Sequence, residues 1–279
     1  MNKNNLLFAM ILLSNILFCN NIERIISIGG CVTETVFKLG MGDAVIAVDQ
    51  SSTYPSEVKK LPQVGYIRAI SSEGILSMMP DLILTTTDMG PPNVVKQIEN
   101  SGVNLNIFNS PHNFEEINNL IDDVSNLLNA KKKGSELKKE MNLTKKVLDN
   151  VKDKYKDESK IVFFMNPKSN SFNAAGDGTR ADYLIEFIGG KNIFKNQFTR
   201  YKKVTKEEIL NLNPDIILIG NIYNAKEESI FITNPEFEYL NAVKNNKIFS
   251  LDMGKYLTFG PSFVDNALEL INKIYVTKN

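Results

Sequence analysis

Ser71-Ser-Glu-Gly-Ile-Leu-Ser-Met-Met-Pro-Asp-Leu-Ile-Leu84 aligns without a gap on Thr205-Lys-Glu-Glu-Ile-Leu-Asn-Leu-Asn-Pro-Asp-Ile-Ile-Leu218, 134 positions later, and seven of the fourteen residues are shared. Each copy reads as a short helix, a Pro-Asp turn and a buried strand. Ser or Thr opens the helix, and Thr205 with Glu208 has capping-box spacing. Proline, which lacks an N–H and clashes with the preceding turn, closes it. One such unit is commonplace in α/β proteins; seven matches at a single offset predict two similarly built lobes.

The surrounding sequence supplies the rest of each lobe. Arg24–Ile28 reads as a strand, and Gly29-Gly30 turns into a helix that begins near Thr33 and stops at Gly40. Ala44–Val48, Leu82–Thr85 and Val103–Phe108 are further strands, with a helix from Gly90-Pro91-Pro92 to Asn100. Alternation of this kind builds a parallel sheet whose loops at the strand carboxyl ends form the binding edge. From about residue 113 to 158 the strand pattern disappears. Ile117, Leu120, Ile121, Val124, Leu127 and Leu128 keep helical spacing, with Asn113 and Glu116 placed to cap the start. Lys131-Lys-Lys-Gly134 marks a joint, its charges reading as a solvated helix face. Leu137, Met141, Thr144, Val147, Leu148, Val151 and Tyr155 then continue a stripe, and one helix over 131–156 would be about 39 Å long at 1.5 Å per residue. The α/β rhythm resumes with Lys160–Met165, a loop at Gly176 and Gly178, a helix ending at Gly189-Gly190, strands at Ile216–Ile219 and Lys247–Leu251, and a closing helix over Pro261–Val276. The expected fold is α/β, two doubly wound lobes joined by a single long helix, with a ligand cleft between them. The expected division is a signal peptide at 1–20, an N-terminal lobe at 21–130, a linking helix at 131–158 and a C-terminal lobe at 159–279.

Composition narrows the function. The 279 residues are 43% hydrophobic, enough for a sizeable core, and 32 basic residues balance 32 acidic ones. No basic block points to nucleic acid. Lys3 followed by the apolar run Leu6–Phe18, too short to span a bilayer, reads as a secretory signal. That implies export to the periplasm. Cys19 is a candidate lipid-anchor site, although Leu17 and Phe18 before it are bulky. Without residues 1–20 the net charge is −1 and Cys31 is the sole thiol, so no intramolecular disulfide can form. Cys31 opens a helix, which would lower its pKa if exposed; otherwise it is a small buried residue.

Catalytic motifs are scarce. There is no P-loop and no G-x-S-x-G, and Gly29-Gly30-Cys31 lacks dinucleotide spacing. Gly176-Asp-Gly-Thr179 before a helix is able to cradle an anion, but such loops are common. The lone His112 sits in a loop without ligand-spaced neighbours, so imidazole-based metal or acid–base sites are hard to build. A binding protein, not an enzyme, is expected; an exported α/β enzyme using the Gly176–Thr179 loop is the alternative from another class.

One resemblance sharpens this. Arg24–Glu34, Val48-Asp-Gln-Ser-Ser52, Leu61-Pro-Gln-Val-Gly-Tyr-Ile-Arg68, Pro80–Leu84 and Gly90-Pro-Pro92 resemble the haem-binding periplasmic proteins of haem ABC importers. The likeness continues through Ala175-Gly176, Thr179–Asp182, Gly189-Gly190, Tyr201-Lys202 and Phe259-Gly260-Pro261. Strand and Pro-Asp features are shared with ferric-siderophore and cobalamin binders, whereas Val-Gly-Tyr-Ile-Arg is the part that points to haem. The resemblance implies that Tyr66 is the axial ligand of ferric haem and that Arg68 contacts its phenolate; a hard anionic oxygen suits Fe(III). If the segment is extended, residues 66 and 68 share one face. By spacing alone Tyr66 is equally an ordinary loop tyrosine. Shifting Tyr66 by 134 lands on Arg200, so neighbouring Tyr201 is a candidate for the opposite lobe. Met253, Tyr256 and Phe259 are candidates for the porphyrin face, and Thr179 and Arg180 for the propionates. The implied role is iron acquisition, with haem as the transported ligand, an inner-membrane ABC permease as partner, and a monomeric carrier.

Overall fold

The computed structural model describes residues 22–155, 158–168, 171–221 and 228–275. The apolar run Leu6–Phe18, Cys19, residue 156 and Val276 lie outside the described residues. In chain order, β1 (Ile25–Ser27) leads to α1 (Gly30–Lys38), then β2 (Val45–Val48), the short β3 (Gly65–Tyr66) and β4 (Ala69–Ile70), α2 (Ser72–Leu76), β5 (Leu82–Thr86), α3 (Pro92–Asn100) and β6 (Asn104–Phe108). Two helices follow, α4 (Phe114–Leu127) and α5 (Lys131–Tyr155). Next come β7 (Lys160–Met165), β8 (Phe172–Ala175), α6 (Arg180–Phe187), β9 (Lys191–Asn192), β10 (Tyr201–Val204), α7 (Lys206–Leu212) and β11 (Ile216–Asn221). The chain closes with α8 (Ser229–Ile232), α9 (Asn241–Lys244), β12 (Ile248–Asp252), α10 (Met253–Tyr256) and α11 (Phe263–Tyr275).

The repeat builds one equivalent corner in each lobe. Asp81 accepts hydrogen bonds from the N–H groups of Glu23 (3.2 Å) and Arg24 (3.0 Å), at the start of β1. Asp215 accepts one from Lys160 N–H (2.9 Å), at the start of β7. Each Asp therefore staples its own strand to the neighbour, and β5 pairs with β1 as β11 pairs with β7, both parallel. Even the backbone strain repeats: Met79 (φ 47) and Asn213 (φ 45), 134 apart, both lie in the left-handed region. In the second copy the capping box is complete, Thr205 Oγ1 accepting from Glu208 N–H at 3.2 Å and Thr205 N–H donating to Glu208 Oε2 at 2.7 Å. Thr205→Ala should cost about 1 kcal/mol, read as a lower urea midpoint at unchanged slope.

The first sheet is wholly parallel, in the order β2-β1-β5-β6. Its strand order reverses beside β1, so the loops after β1 and β5 flank the crevice where such sheets bind ligands. The second sheet carries an antiparallel edge on an otherwise parallel, doubly wound pattern. It runs β10-β8-β7-β11-β12 with β9 beside β7, and β8 and β10 are antiparallel. The link from Met165 to Phe172 is too short for the dozen or more residues of a parallel crossover, so β8 must return antiparallel. Helix α1 starts at Gly30, three residues earlier than expected, because Gly29 at φ 102 makes the turn and its carbonyl already accepts from Thr33 N–H.

Strand residues alternate between two cores on each sheet. Ile25, Leu82 and Leu84 face α1 and α4, while Ile26 and Ile83 face the other side; Ile161, Phe163, Ile216 and Leu218 likewise oppose Val162, Phe164, Ile217 and Ile219. Helix α4 is shared. Its Ile117 and Ile121 join the second lobe's core, and its Leu120 and Val124 join the first lobe's. The cap expected at Asn113 is present, Oδ1 accepting from Glu116 N–H at 2.9 Å. Helix α5 is continuous over 25 residues and buries Met141 and Leu148, but Val147 is 50% exposed and lies off the expected stripe.

Candidate functional site

Tyr66 and Arg68 sit on a hairpin and not on one continuous extended strand. Strands β3 and β4 pair antiparallel, Tyr66 opposite Ala69, so Ile67 and Arg68 form a two-residue turn. Gly65, at φ 109, sets the chain up for it. Ile67 and Ile70 anchor the hairpin in the core beneath, whereas Tyr66 is 46% exposed and belongs to no core cluster. The Arg68 guanidinium turns to Asp88, Nη2 standing 3.3 Å from Oδ1.

Asp88 is the residue around which the two lobes meet. It follows β5, on the loop that flanks the crevice. Its Oδ2 accepts from the Ser110 hydroxyl at 2.6 Å and lies 3.4 Å from Arg180 Nη2, on the first residue of α6 in the other lobe. Arg180 also donates to Ser110 Oγ (2.6 Å) and to the Pro111 carbonyl (3.1 Å), and its guanidinium lies 5.7 Å from the centre of the Phe259 ring. Partial burial alone would push the Asp88 carboxyl up, but the Ser110 hydroxyl with the Arg180 and Arg68 charges outweighs it and holds Asp88 below the ordinary carboxylate range. Arg68, Arg180 and Phe259, expected from sequence, are thus linked by two residues that were not, Asp88 and Ser110. The available signal was position: Asp88 and Ser110 both follow strand carboxyl ends.

The other expected residues have different surroundings. Thr179 is 8% exposed and caps α6, its hydroxyl accepting from Asp182 N–H at 3.0 Å and donating to the Gly176 carbonyl at 3.0 Å. Tyr256 is buried, and its hydroxyl donates to Glu269 at 3.1 Å. Phe259 is 1% exposed and packs with Tyr183 and Phe263. Tyr201 and Met253 are half-buried against the same core as Phe259. Burial pushes the Tyr201 phenol up to about 12, with Arg180 opposing it, so Tyr201 is protonated at neutral pH. Cys31 is buried and its thiol is pushed up to about 11 by burial, which rules for the small core residue over the activated thiol. His112 is an exposed loop residue, Nδ1 2.8 Å from the Ser110 carbonyl. Among the described residues no group of three or more His, Cys, Asp and Glu side chains is placed to hold a metal ion.

A second seam runs beside the first. Glu34 on α1 is 3% exposed and accepts from Ser262 N–H at 2.6 Å, across to the other lobe. A side-chain carbon at Gly260 would meet Glu34 Oε2 at 2.1 Å, so the approach requires glycine. Burial raises Glu34 to about 7 against the Ser262 donors and Lys38, with Asp265 adding to the rise.

A family model described as periplasmic binding protein matches residues 25–253. Among solved structures, the periplasmic heme-binding protein RhuT from Roseiflexus sp. RS-1 in apo form superimposes with a TM-score of 0.83 at 28% identity, covering 91% of this chain and 98% of that one. The uncharacterized ABC transporter substrate-binding lipoprotein YvrC of Bacillus subtilis (strain 168) is 29% identical over 256 residues, 91% of this chain and 80% of that protein. A vitamin B12-binding protein of Vibrio parahaemolyticus serotype O3:K6 is 25% identical over 247 residues, covering 88% of this chain and 87% of that one.

Proposed function

This chain belongs to the periplasmic binding protein family, and from that premise we propose that it is the substrate-binding component of an ABC-type haem importer. It captures ferric haem outside the inner membrane through Tyr66 and delivers it to a permease, catalysing no reaction. The observation that carries the reading is Tyr66 itself, a 46% exposed phenol on a hairpin whose hydrophobic residues anchor the turn while the tyrosine packs into no core. A phenolate is a hard anionic donor suited to Fe(III). Ligation needs the phenolate, which the positive charge of the iron and of Arg68, two residues on, favours. Arg180 stands ready for a propionate, and Phe259 lies beneath it. The heme-binding name of the Roseiflexus neighbour supports the same ligand. Export directed by the apolar run Leu6–Phe18 and a monomeric state complete the reading; cleavage just before Cys19 would instead leave that residue as a lipid anchor, an option supported by the lipoprotein name of the Bacillus relative.

Haemin titrated into the purified protein should give a saturable Soret change at one equivalent. A corrinoid ligand is the second reading, favoured by the vitamin B12-binding relative. Cyanocobalamin binding with no Soret response to haemin would replace the first reading by the second.

A further inference from the structure

The carboxylate of Asp88 occupies the place where a ligand carboxylate would be expected. Two guanidiniums from different lobes converge on it, Arg68 on Oδ1 and Arg180 on Oδ2, and the Ser110 hydroxyl completes the shell. One negative charge thus faces two positive ones. Arginine forks match carboxylates in shape and charge, so the pair suits an anion of this class and gains nothing comparable from a neutral amide. The cluster is also open to exchange. Asp88 is 28% exposed, Arg180 25% and Arg68 66%. Asp49, by contrast, is fully buried and commits both oxygens to Gly29 N–H, Ser51 and Ser52. Partly solvated ion pairs cost little to rearrange, whereas a network like that of Asp49 does not give way.

We propose that Asp88 is a specificity-determining residue, an internal carboxylate that gathers Arg68 and Arg180 at one anion position and yields that position to an ionised carboxylate of the ligand. The inference rests on the haem reading for the shape of the ligand, a flat tetrapyrrole, and adds its chemistry: peripheral carboxylates are required, and amide-bearing or esterified rings are refused. Asp88 itself sets the threshold, because any competing anion must overcome its charge.

The test uses iron-free protoporphyrin IX and its dimethyl ester, so that tyrosine ligation does not enter. Both are titrated by fluorescence into the purified protein and its Asp88→Asn variant at low salt. The variant keeps an oxygen acceptor and the side-chain volume but removes the competing charge. The acid should bind the unaltered protein more tightly than the ester, and Asp88→Asn should tighten acid binding by about fivefold, the scale of one partly exposed charge pair, with the ester changed less than about twofold. Arg68→Gln, at an exposed turn, should weaken the acid by about fivefold and leave the ester alone. An acid-to-ester ratio that is unchanged or falls in Asp88→Asn overturns the proposal, since a residue that merely latches the lobes would weaken both ligands together. Failure of both porphyrins to bind the unaltered protein also overturns it. Absence of a Soret response to haemin, with the acid-to-ester ratio moving as stated, overturns only the tyrosine ligation.

Discussion

Tyr66→Ala should weaken haemin binding by about 100-fold or more while leaving the fold intact. Removing groups that merely orient a metal ligand costs about 10- to 100-fold, so removing the proposed ligand itself sets a larger loss. The structure makes this variant unusually clean. Tyr66 is 46% exposed and sits in no core cluster, and β3 pairs with β4 through backbone groups that alanine retains. Its effect on stability should stay within about 0.5 kcal/mol. Soret titration and urea denaturation of the same preparations check both halves. Haemin affinity within a few-fold of the unaltered protein would remove Tyr66 as the ligand and return it to an ordinary hairpin tyrosine.

The second large effect concerns stability and pH at the Glu34 seam. Glu34 ionises at about 7 in the folded chain against 4.5 for the ordinary group. Below pH 4.5 it is protonated in both states and its contribution is complete. Between 4.5 and 7 the unfolded chain releases its proton and the folded chain keeps it, so stability falls as pH rises, and above 7 the loss is complete. The two values correspond to roughly 3 kcal/mol at 1.36 kcal/mol per pH unit. Glu34→Gln removes the titration and leaves an oxygen for the Ser262 N–H. The stability difference between Glu34→Gln and the unaltered protein should therefore grow by about 3 kcal/mol in favour of the variant from pH 4 to pH 8, measured by urea denaturation. Parallel pH profiles would show that Glu34 is solvated in a way its 3% exposure does not allow. Because its partner is in the other lobe, the same proton bears on how tightly the lobes meet.

The architecture was legible wherever a local pattern determines it. The repeat located β5 and β11, and the spacing of Ile117, Leu120, Ile121 and Val124 located α4 with its Asn113 cap. Strands β8 and β10 were not legible. Each has four residues, and Tyr201-Lys-Lys-Val204 looks polar because Lys202 and Lys203 are exposed on an edge strand, where lysine guards against further pairing. The Tyr66 hairpin was missed for a related reason, its turn being Ile67-Arg68 with none of the Gly, Asn or Asp that mark two-residue turns. Arg68, Arg180 and Phe259 were each expected from sequence, but what joins them was invisible. Asp88 and Arg180 are 92 residues apart, and no spacing rule connects a loop aspartate to a distant helix start.

Helix α4 carries a wider implication. Its Ile117 and Ile121 complete one core while Leu120 and Val124 complete the other, so neither lobe owns it. A fragment ending at residue 130 would carry two isoleucines facing water, and a fragment beginning there would lack part of its own interior. Melting either half would strip apolar cover from its neighbour, so the two halves should unfold together, as one calorimetric transition rather than two.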